Sequence, residues 1–207
     1  TIQLIGDPYN NDVRLFMMTL NIDEEKTESL RLQHKMECDG MTDILNRATF
    51  MTRVTEILEK SSPDMRHALI MLDIDQFKLH NDSYGHQFGD YVIRETAQIL
   101  KRFLRKNDSC GRIGGDEFMV FLNDIKSEQD IIPRIAELCS LLKREYPEKG
   151  EVSCSLGVVF YPRNGTTFKE LYRNADIALY DVKRAGRCDY KIYGDEEEEE
   201  RPPEDLI

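Results

Sequence analysis

Between Arg112 and Phe118 the chain reads Arg-Ile-Gly-Gly-Asp-Glu-Phe. Two glycines precede two adjacent carboxylates, and an apolar run, Phe118-Met119-Val120-Phe121-Leu122, follows. Glycines allow positive φ and a tight turn. The pattern therefore predicts a β-hairpin whose tip presents Asp116 and Glu117 to one point. Paired carboxylates repel each other, so holding them together is costly unless a cation sits there. A second acidic pair, Asp73-Ile74-Asp75, ends another apolar run over residues 67–72. Two acidic strand ends in one domain point to a divalent-metal site built for phosphates.

The elements that must position these acids follow from periodicity. Residues 67–72 form a near-continuous apolar run, as in a buried central strand. Helices are expected over 49–59, over about 89–105 with Ile93, Ala97, Leu100 and Leu104 at 3–4 spacing, and over 130–145 with Ile131, Ile135, Leu138 and Leu142 on one face. Pro133 should lie in the first turn of the last of these. Strands are expected over 152–161 and 190–193. A helix over 168–185 aligns Leu171, Ala175, Ala178 and Val182, with Gly186 suited to its C-terminal cap. The reading is an α+β fold, a central mixed β-sheet flanked by helices mostly on one face, carrying the acidic hairpin.

The chain has 207 residues, 40% of them apolar, enough for one ordinary domain plus an appendage. Its net charge of −11 argues against binding a nucleic-acid polymer. Residues 195–205 hold eight acids and one arginine, a net of −7, and residues 195–207 read as a solvated, disordered tail. Five cysteines, Cys38, Cys110, Cys139, Cys154 and Cys188, include no C-x-x-C pair. That favours reduced, cytoplasmic thiols over a disulfide frame or a zinc site. No run approaches the roughly 20 apolar residues that span a bilayer, so no membrane contact is expected of this segment; an upstream region could still anchor a longer protein. Residues 23–38, rich in Glu, Lys, Arg, Leu and Gln, read as a helical linker that could pair with a second copy as a coiled coil.

Gly114-Gly115-Asp116-Glu117-Phe118 matches the signature of the GGDEF family, the diguanylate cyclases. Asp73-Ile74-Asp75-Gln76-Phe77-Lys78 resembles that family's D-x-D-x-F-K. Asn81-Asp82 with Gly85-His86-Gln87-Phe88-Gly89-Asp90 resembles its N-D-x-x-G-H-x-x-G-D. Residues 39–47 resemble its opening D-x-L-T-G-L-x-N-R, with Asp43 where Gly is usual. Ala175-Asp176, Tyr180 and Lys183-Arg184-Ala185-Gly186-Arg187 resemble its closing block, with Val182 replacing Ala and Cys188 replacing Asn. The blocks keep family order over residues 39–194. The resemblance implies the palm-like nucleotidyl cyclase fold. Residues 1–22 more distantly resemble the end of a PAS sensor domain running into its exit helix.

The resemblance also implies roles. The activity would be condensation of two GTP molecules into cyclic di-GMP with release of pyrophosphate, across a homodimer, with Mg2+ or Mn2+. Asp73, the backbone carbonyl of Ile74, Asp116 and Glu117 would hold the metal. Asp116 would take the proton from the attacking hydroxyl, Glu117 would support the metal or the base, and Lys78 would neutralise charge in the transition state. Asn81 and Asp90 would read guanine; an amide and a carboxylate complement its donor and acceptor edges, whereas adenine would leave the carboxylate without donors. His86, Gly114 and Gly115 fall at substrate positions, although a lone histidine is as often structural. Lys183 and Arg187 would hold the triphosphate, or simply cap a helix end. Asp75 is open between a structural and a catalytic role. Arg105 and Asp108 match an R-x-x-D that in the family binds cyclic di-GMP and inhibits; the alternative is a helix-end salt bridge. A degenerate nucleotide receptor and a sensor or scaffold module are the competing functions.

Overall fold

A computed structural model describes residues 26–28 and 30–194. The segments expected to end a sensor domain (1–22) and to form the acidic tail (195–207) lie outside the described residues. In chain order the elements are helix α1 (26–28 and 30–37), β1 (Leu45–Asn46), α2 (Arg47–Lys60), β2 (His67–Ile74), α3 (Phe77–Tyr84), α4 (His86–Phe103), β3 (Ser109–Arg112), β4 (Glu117–Leu122), α5 (Glu128–Leu142), β5 (Arg144–Tyr146), β6 (Gly150–Val152), β7 (Cys154–Tyr161), α6 (Phe168–Ala185) and β8 (Tyr190–Ile192).

Six strands form one mixed sheet in the order β1-β3-β4-β2-β7-β8, and β5 pairs with β6 as a separate hairpin. Strand β2 lies antiparallel to both β4 and β7, while β1–β3 and β7–β8 are parallel. Every residue of β2 and β7 is buried. Alternation explains why the run in β2 is continuously apolar. Ala68, Ile70, Leu72 and Ile74 join a core with α4 and α5 residues such as Ile93, Leu100, Ile135 and Leu138. Leu69 and Met71 join a second core with Phe50 and Val54 of α2 and Leu171, Ala175 and Leu179 of α6. Helices therefore cover both faces, not mostly one, because a strand apolar on both sides has to be covered on both. Each fully buried Leu, Ile or Phe contributes about 1.5–3 kcal/mol.

Gly157 of β7 sets the distance of α6 from the sheet. A Cβ there would lie 2.1 Å from the carbonyl oxygen of Ala175 and 2.5 Å from the nitrogen of Leu179, so only glycine lets the helix lie this close.

Several boundaries differ from expectation for local reasons. Asn46 caps α2 by accepting from the Thr49 amide, so this helix starts at Arg47. Ser127 caps α5 by accepting from the Asp130 amide, which moves its start to Glu128 and leaves Pro133 inside the helix, not in its first turn. Helix α5 stops at Leu142, and the next residues pair as β5–β6, with Glu148 in the connection at φ 65 and Gly150 at the start of β6 at φ 77. Helix α4 begins at His86, after Gly85 at φ 83, and ends at Phe103. The short helix α3 was not anticipated; it starts after Gln76, which is left-handed at φ 52. Thr167 and Glu170 form a capping box on α6, and Gly186 caps its end as expected.

Candidate active site

Strand β2 delivers Asp73 and strand β4 delivers Glu117, and the antiparallel register sets the two residues opposite each other. Next to them the amide of Ile74 donates to the carbonyl oxygen of Asp116 at 3.3 Å. The two acidic strand ends seen in the sequence thus meet at one end of the two central strands. Asp73 is nearly buried, and the ammonium of Lys183, from the last turn of α6, lies 2.9 Å from its Oδ2. Burial pushes the Asp73 carboxyl up to about 6 against the pull of Lys183, and the charges of Asp116 and Glu117 push the same way. A carboxylate so placed is eased by a further cation. The donors, Asp73, Asp116 and Glu117 with the neighbouring backbone of Ile74, are all oxygen, the set that suits Mg2+ or Mn2+. In donor chemistry, though not in spacing, this set suits a divalent ion.

The hairpin tip is built differently from the expectation. Neither Gly114 nor Gly115 is among the glycines with positive φ. The turn closes instead through the amides of Ile113 and Gly114, which donate to the Glu117 carbonyl at 2.9 and 3.3 Å. A Cβ on Gly114 would stand 2.6 Å from the Glu117 carboxylate, the end of an exposed side chain that can swing away, whereas Gly115 faces open space. Arg112 braces the tip. Its guanidinium donates to the Gly115 carbonyl at 2.7 and 3.2 Å and pairs with Asp39 at 3.2 Å. Sequence reasoning passed over Arg112 and Asp39, although both stand inside the quoted motifs.

Asp75 is a structural residue. Its buried carboxylate accepts from the hydroxyls of Ser153 and Ser155, each at 2.6 Å, and from the Cys188 amide at 3.1 Å. It ties the end of β2 to the start of β7 and to the α6–β8 turn. That turn holds Arg187 and Cys188 at φ 67 and 55. Arg187 is exposed there, and its amide donates to the Val182 carbonyl at 3.0 Å. Lys183 does more than cap the helix, since its ammonium reaches Asp73.

Lys78 is exposed in the first turn of α3. Asn81 in the same helix sits against Gly89 of α4 so closely that a Cβ on Gly89 would lie 2.0 Å from its Oδ1. Gly89 therefore sets the position of the Asn81 amide beside Asp90, a role the motif alone does not reveal. Asp90 is half-exposed, with Arg94 at 3.7 Å. His86, the first residue of α4, is exposed and takes no part in the ring contacts that join His80, Tyr84 and Phe88.

On the other side of the hairpin, Asp108 accepts from the amides of Arg105 and Asn123 at 2.9 and 3.1 Å. Arg105 is exposed. A second arginine, Arg134 of α5, approaches Asp108 at 3.9 Å, stacks on Phe103 at 4.7 Å and donates to its carbonyl. Burial, and next the charge of Arg105, lower the Arg134 pKa. Arg134 had no sequence signal, because it comes from a helix distant in the chain.

The described residues include no helix long and apolar enough to cross a membrane. Their five cysteines are free thiols.

Comparison with known proteins agrees with this geometry. The family described as "Diguanylate cyclase, GGDEF domain" matches residues 36–189. The probable diguanylate cyclase DgcT of Escherichia coli is 36% identical over 154 residues, covering 72% of this chain and 34% of that protein. The first four curated relatives are covered over only 16–34% of their length. Among solved structures, the GGDEF domain of TpbB from Pseudomonas aeruginosa superimposes with a TM-score of 0.69 at 31% identity, covering 75% of this chain and 94% of that one. The GGDEF domain of DgcB from Caulobacter crescentus, in complex with c-di-GMP, gives 0.69 at 26% identity over 77% and 94% of the two chains. The chain belongs to the family of GGDEF domains of diguanylate cyclases.

Proposed function

We propose that residues 39–194 are the catalytic domain of a diguanylate cyclase that joins two GTP molecules into cyclic di-GMP. The convergence of Asp73, Asp116 and Glu117, with Lys183 against Asp73, is the observation that carries this reading. The 3′-hydroxyl of each GTP attacks the α-phosphate of the other, each bond from the α- to the β-phosphate breaks, and two pyrophosphates leave. Asp116 takes the hydroxyl proton. Asp73, the carbonyl of Ile74, Asp116 and Glu117 hold Mg2+ or Mn2+, which when bound neutralises phosphate oxygens and lowers the hydroxyl pKa. Lys183 then turns from Asp73 to the triphosphate, assisted by Arg187. Lys78, exposed beside the site, offsets charge in the transition state. Gly114 and Gly115 leave room for the nucleotide at the hairpin.

Guanine lies against Asn81 and Asp90, with His86 at the edge of the same cleft. A carboxylate there accepts from the guanine N–H groups and finds no such donors on adenine. Each domain holds one GTP, so two copies must face each other. Helix α1, within the linker 23–38, is the device that brings them together. Removing it should slow turnover most at low protein concentration. Arg105, Asp108 and Arg134 bind the product and inhibit, since guanidinium groups grip phosphate and the guanine O6/N7 edge.

Supplying GTP or ATP with Mg2+, with and without EDTA, and separating products by chromatography tests the assignment. Cyclic di-GMP and pyrophosphate from GTP alone, abolished by EDTA, are expected. Binding of GTP or cyclic di-GMP without turnover, even in forced dimers stripped of product, would make the domain a receptor instead.

A further inference from the structure

We propose that His34, Cys38 and Asp43 form a site for a borderline divalent cation, Zn2+ fitting best, at the junction of helix α1 with the catalytic domain. One ligand atom from each of the three residues lies within 4.8 Å of the others. Cys38 follows the last residue of the helix, and its amide donates to the His34 carbonyl at 3.0 Å, which sets the two residues one turn apart. The Cys38 sulfur lies 3.6 Å from His34 Nδ1, and the Asp43 Oδ1 lies 2.5 Å from His34 Nε2. One imidazole, one thiol and one carboxylate make the mixed N/S/O set that Zn2+ prefers, with a fourth position left for water.

The platform is firm. Cys38 bridges to Leu45, the Asp39 amide donates to the Ile44 carbonyl at 2.7 Å, and Asn46 Nδ2 donates to the Met36 carbonyl at 2.6 Å. Asp43 is the informative residue. It holds a left-handed φ of 56 at the position where the family motif takes glycine. Aspartate tolerates that region better than most residues, and here its carboxylate turns onto His34. Lys101 of α4 takes the other oxygen, Oδ2, at 2.8 Å, which orients the carboxylate as an outer partner does at metal sites. Cys38 and Asp43 contact opposite nitrogens of the one imidazole, and an ion takes only one of them; bound at Nε2 beside Asp43 it opens that contact by about 0.9 Å, since ligands of a tetrahedral ion stand about 3.4 Å apart, and the Cys38 sulfur has to swing round from Nδ1 to reach it. On binding, the Cys38 S–H bond breaks, sulfur bonds the metal and the proton passes to solvent, while His34 binds as neutral imidazole. A metal here locks the last turn of α1 to the 39–43 turn. Asp39, in that turn, is the residue that grips Arg112 and so reaches the hairpin tip. A scan for C-x-x-C pairs misses such a site, because its ligands are of three kinds.

The test is a cobalt titration of the EDTA-stripped chain under anaerobic conditions near neutral pH. A sulfur-to-cobalt charge-transfer absorption should appear, saturate at one Co2+ per chain, disappear on adding Zn2+ and persist in excess Mg2+. Cys38→Ser should abolish it, and Cys188→Ser should leave it. Asp43→Gly, which suits the left-handed backbone, should weaken binding about tenfold or more with an unchanged circular dichroism spectrum. The acids of the catalytic site carry no sulfur and cannot produce this signal. No sulfur-to-cobalt band, or one that survives Cys38→Ser, would reduce the trio to a hydrogen-bonded contact and overturn the proposal.

Discussion

Replacing Gly89 with alanine should separate stability from substrate recognition. The new Cβ would meet Asn81 Oδ1 at 2.0 Å and Phe77 Cζ at 3.1 Å, where ordinary contact begins near 3.4 Å. The amide oxygen has to retreat by about 1.4 Å, and it can, because it is the end of a side chain that is only partly buried. Alanine in a helix gains up to about 1 kcal/mol over glycine. Thermal melting should therefore change little. Guanine, however, loses a well-placed amide partner, which costs about 1–3 kcal/mol, or about five- to 150-fold in KM for GTP at 1.4 kcal/mol per factor of ten. Asn81→Ala should have a similar effect, and adding Gly89→Ala to it should cost little more, since both act on the same contact. Steady-state kinetics of the two single variants and the double variant measure this. A melting temperature lowered by many degrees with KM unchanged, or effects that multiply in the double variant, would refute the idea that Gly89 works through Asn81.

Three other outcomes follow from the same structure. Asp75→Asn puts an N–H group where a buried carboxylate accepts three donors, and should cost about 2–4 kcal/mol in urea unfolding; an unchanged midpoint would contradict the structural role. His67 is fully buried and accepts the Asp124 amide at Nδ1. Burial holds its pKa below the ordinary 6.5, so the unfolded chain binds the proton more readily, and this contribution is complete above pH 6.5 and fades as pH falls below it. The loss of stability between pH 7.5 and 5.5 should be smaller in His67→Gln, and equal losses in the two proteins would count against it. Arg105→Ala should raise the concentration of cyclic di-GMP needed to inhibit by tenfold or more; inhibition at the original concentration would remove Arg105 from the product site.

What the sequence reveals here depends on the range of the signal. Residues 67–72, apolar but for His67, identified the central strand, and the two glycines followed by two acids identified the hairpin. The same apolar run could have shown that both sheet faces are covered, since a strand with one wet face alternates. Asp75 was ambiguous because its partners, Ser153, Ser155 and Cys188, are far away in the chain and only the folded register brings them near. Arg112 and Arg134 escaped attention for a related reason: an arginine is ordinary until a carbonyl or a carboxylate is found beside it. Helix α3 was missed because eight residues without a buried face give no periodicity. The split of residues 150–161 into β6 and β7 was masked by continuous β-forming composition. The start of α5 differs because a proline suits a first turn, whereas here Ser127 caps a helix that begins two residues before the expected start.

The central claim is that carboxylates from two strands act on GTP only when two domains meet. Its most direct test is the initial rate of cyclic di-GMP formation against chain concentration, for the protein as it stands and for Asp116→Ala. The rate should rise more steeply than the first power of concentration until pairing saturates, with no product from the variant. A strictly linear rate from an isolated monomer, or turnover that persists in Asp116→Ala, would contradict it.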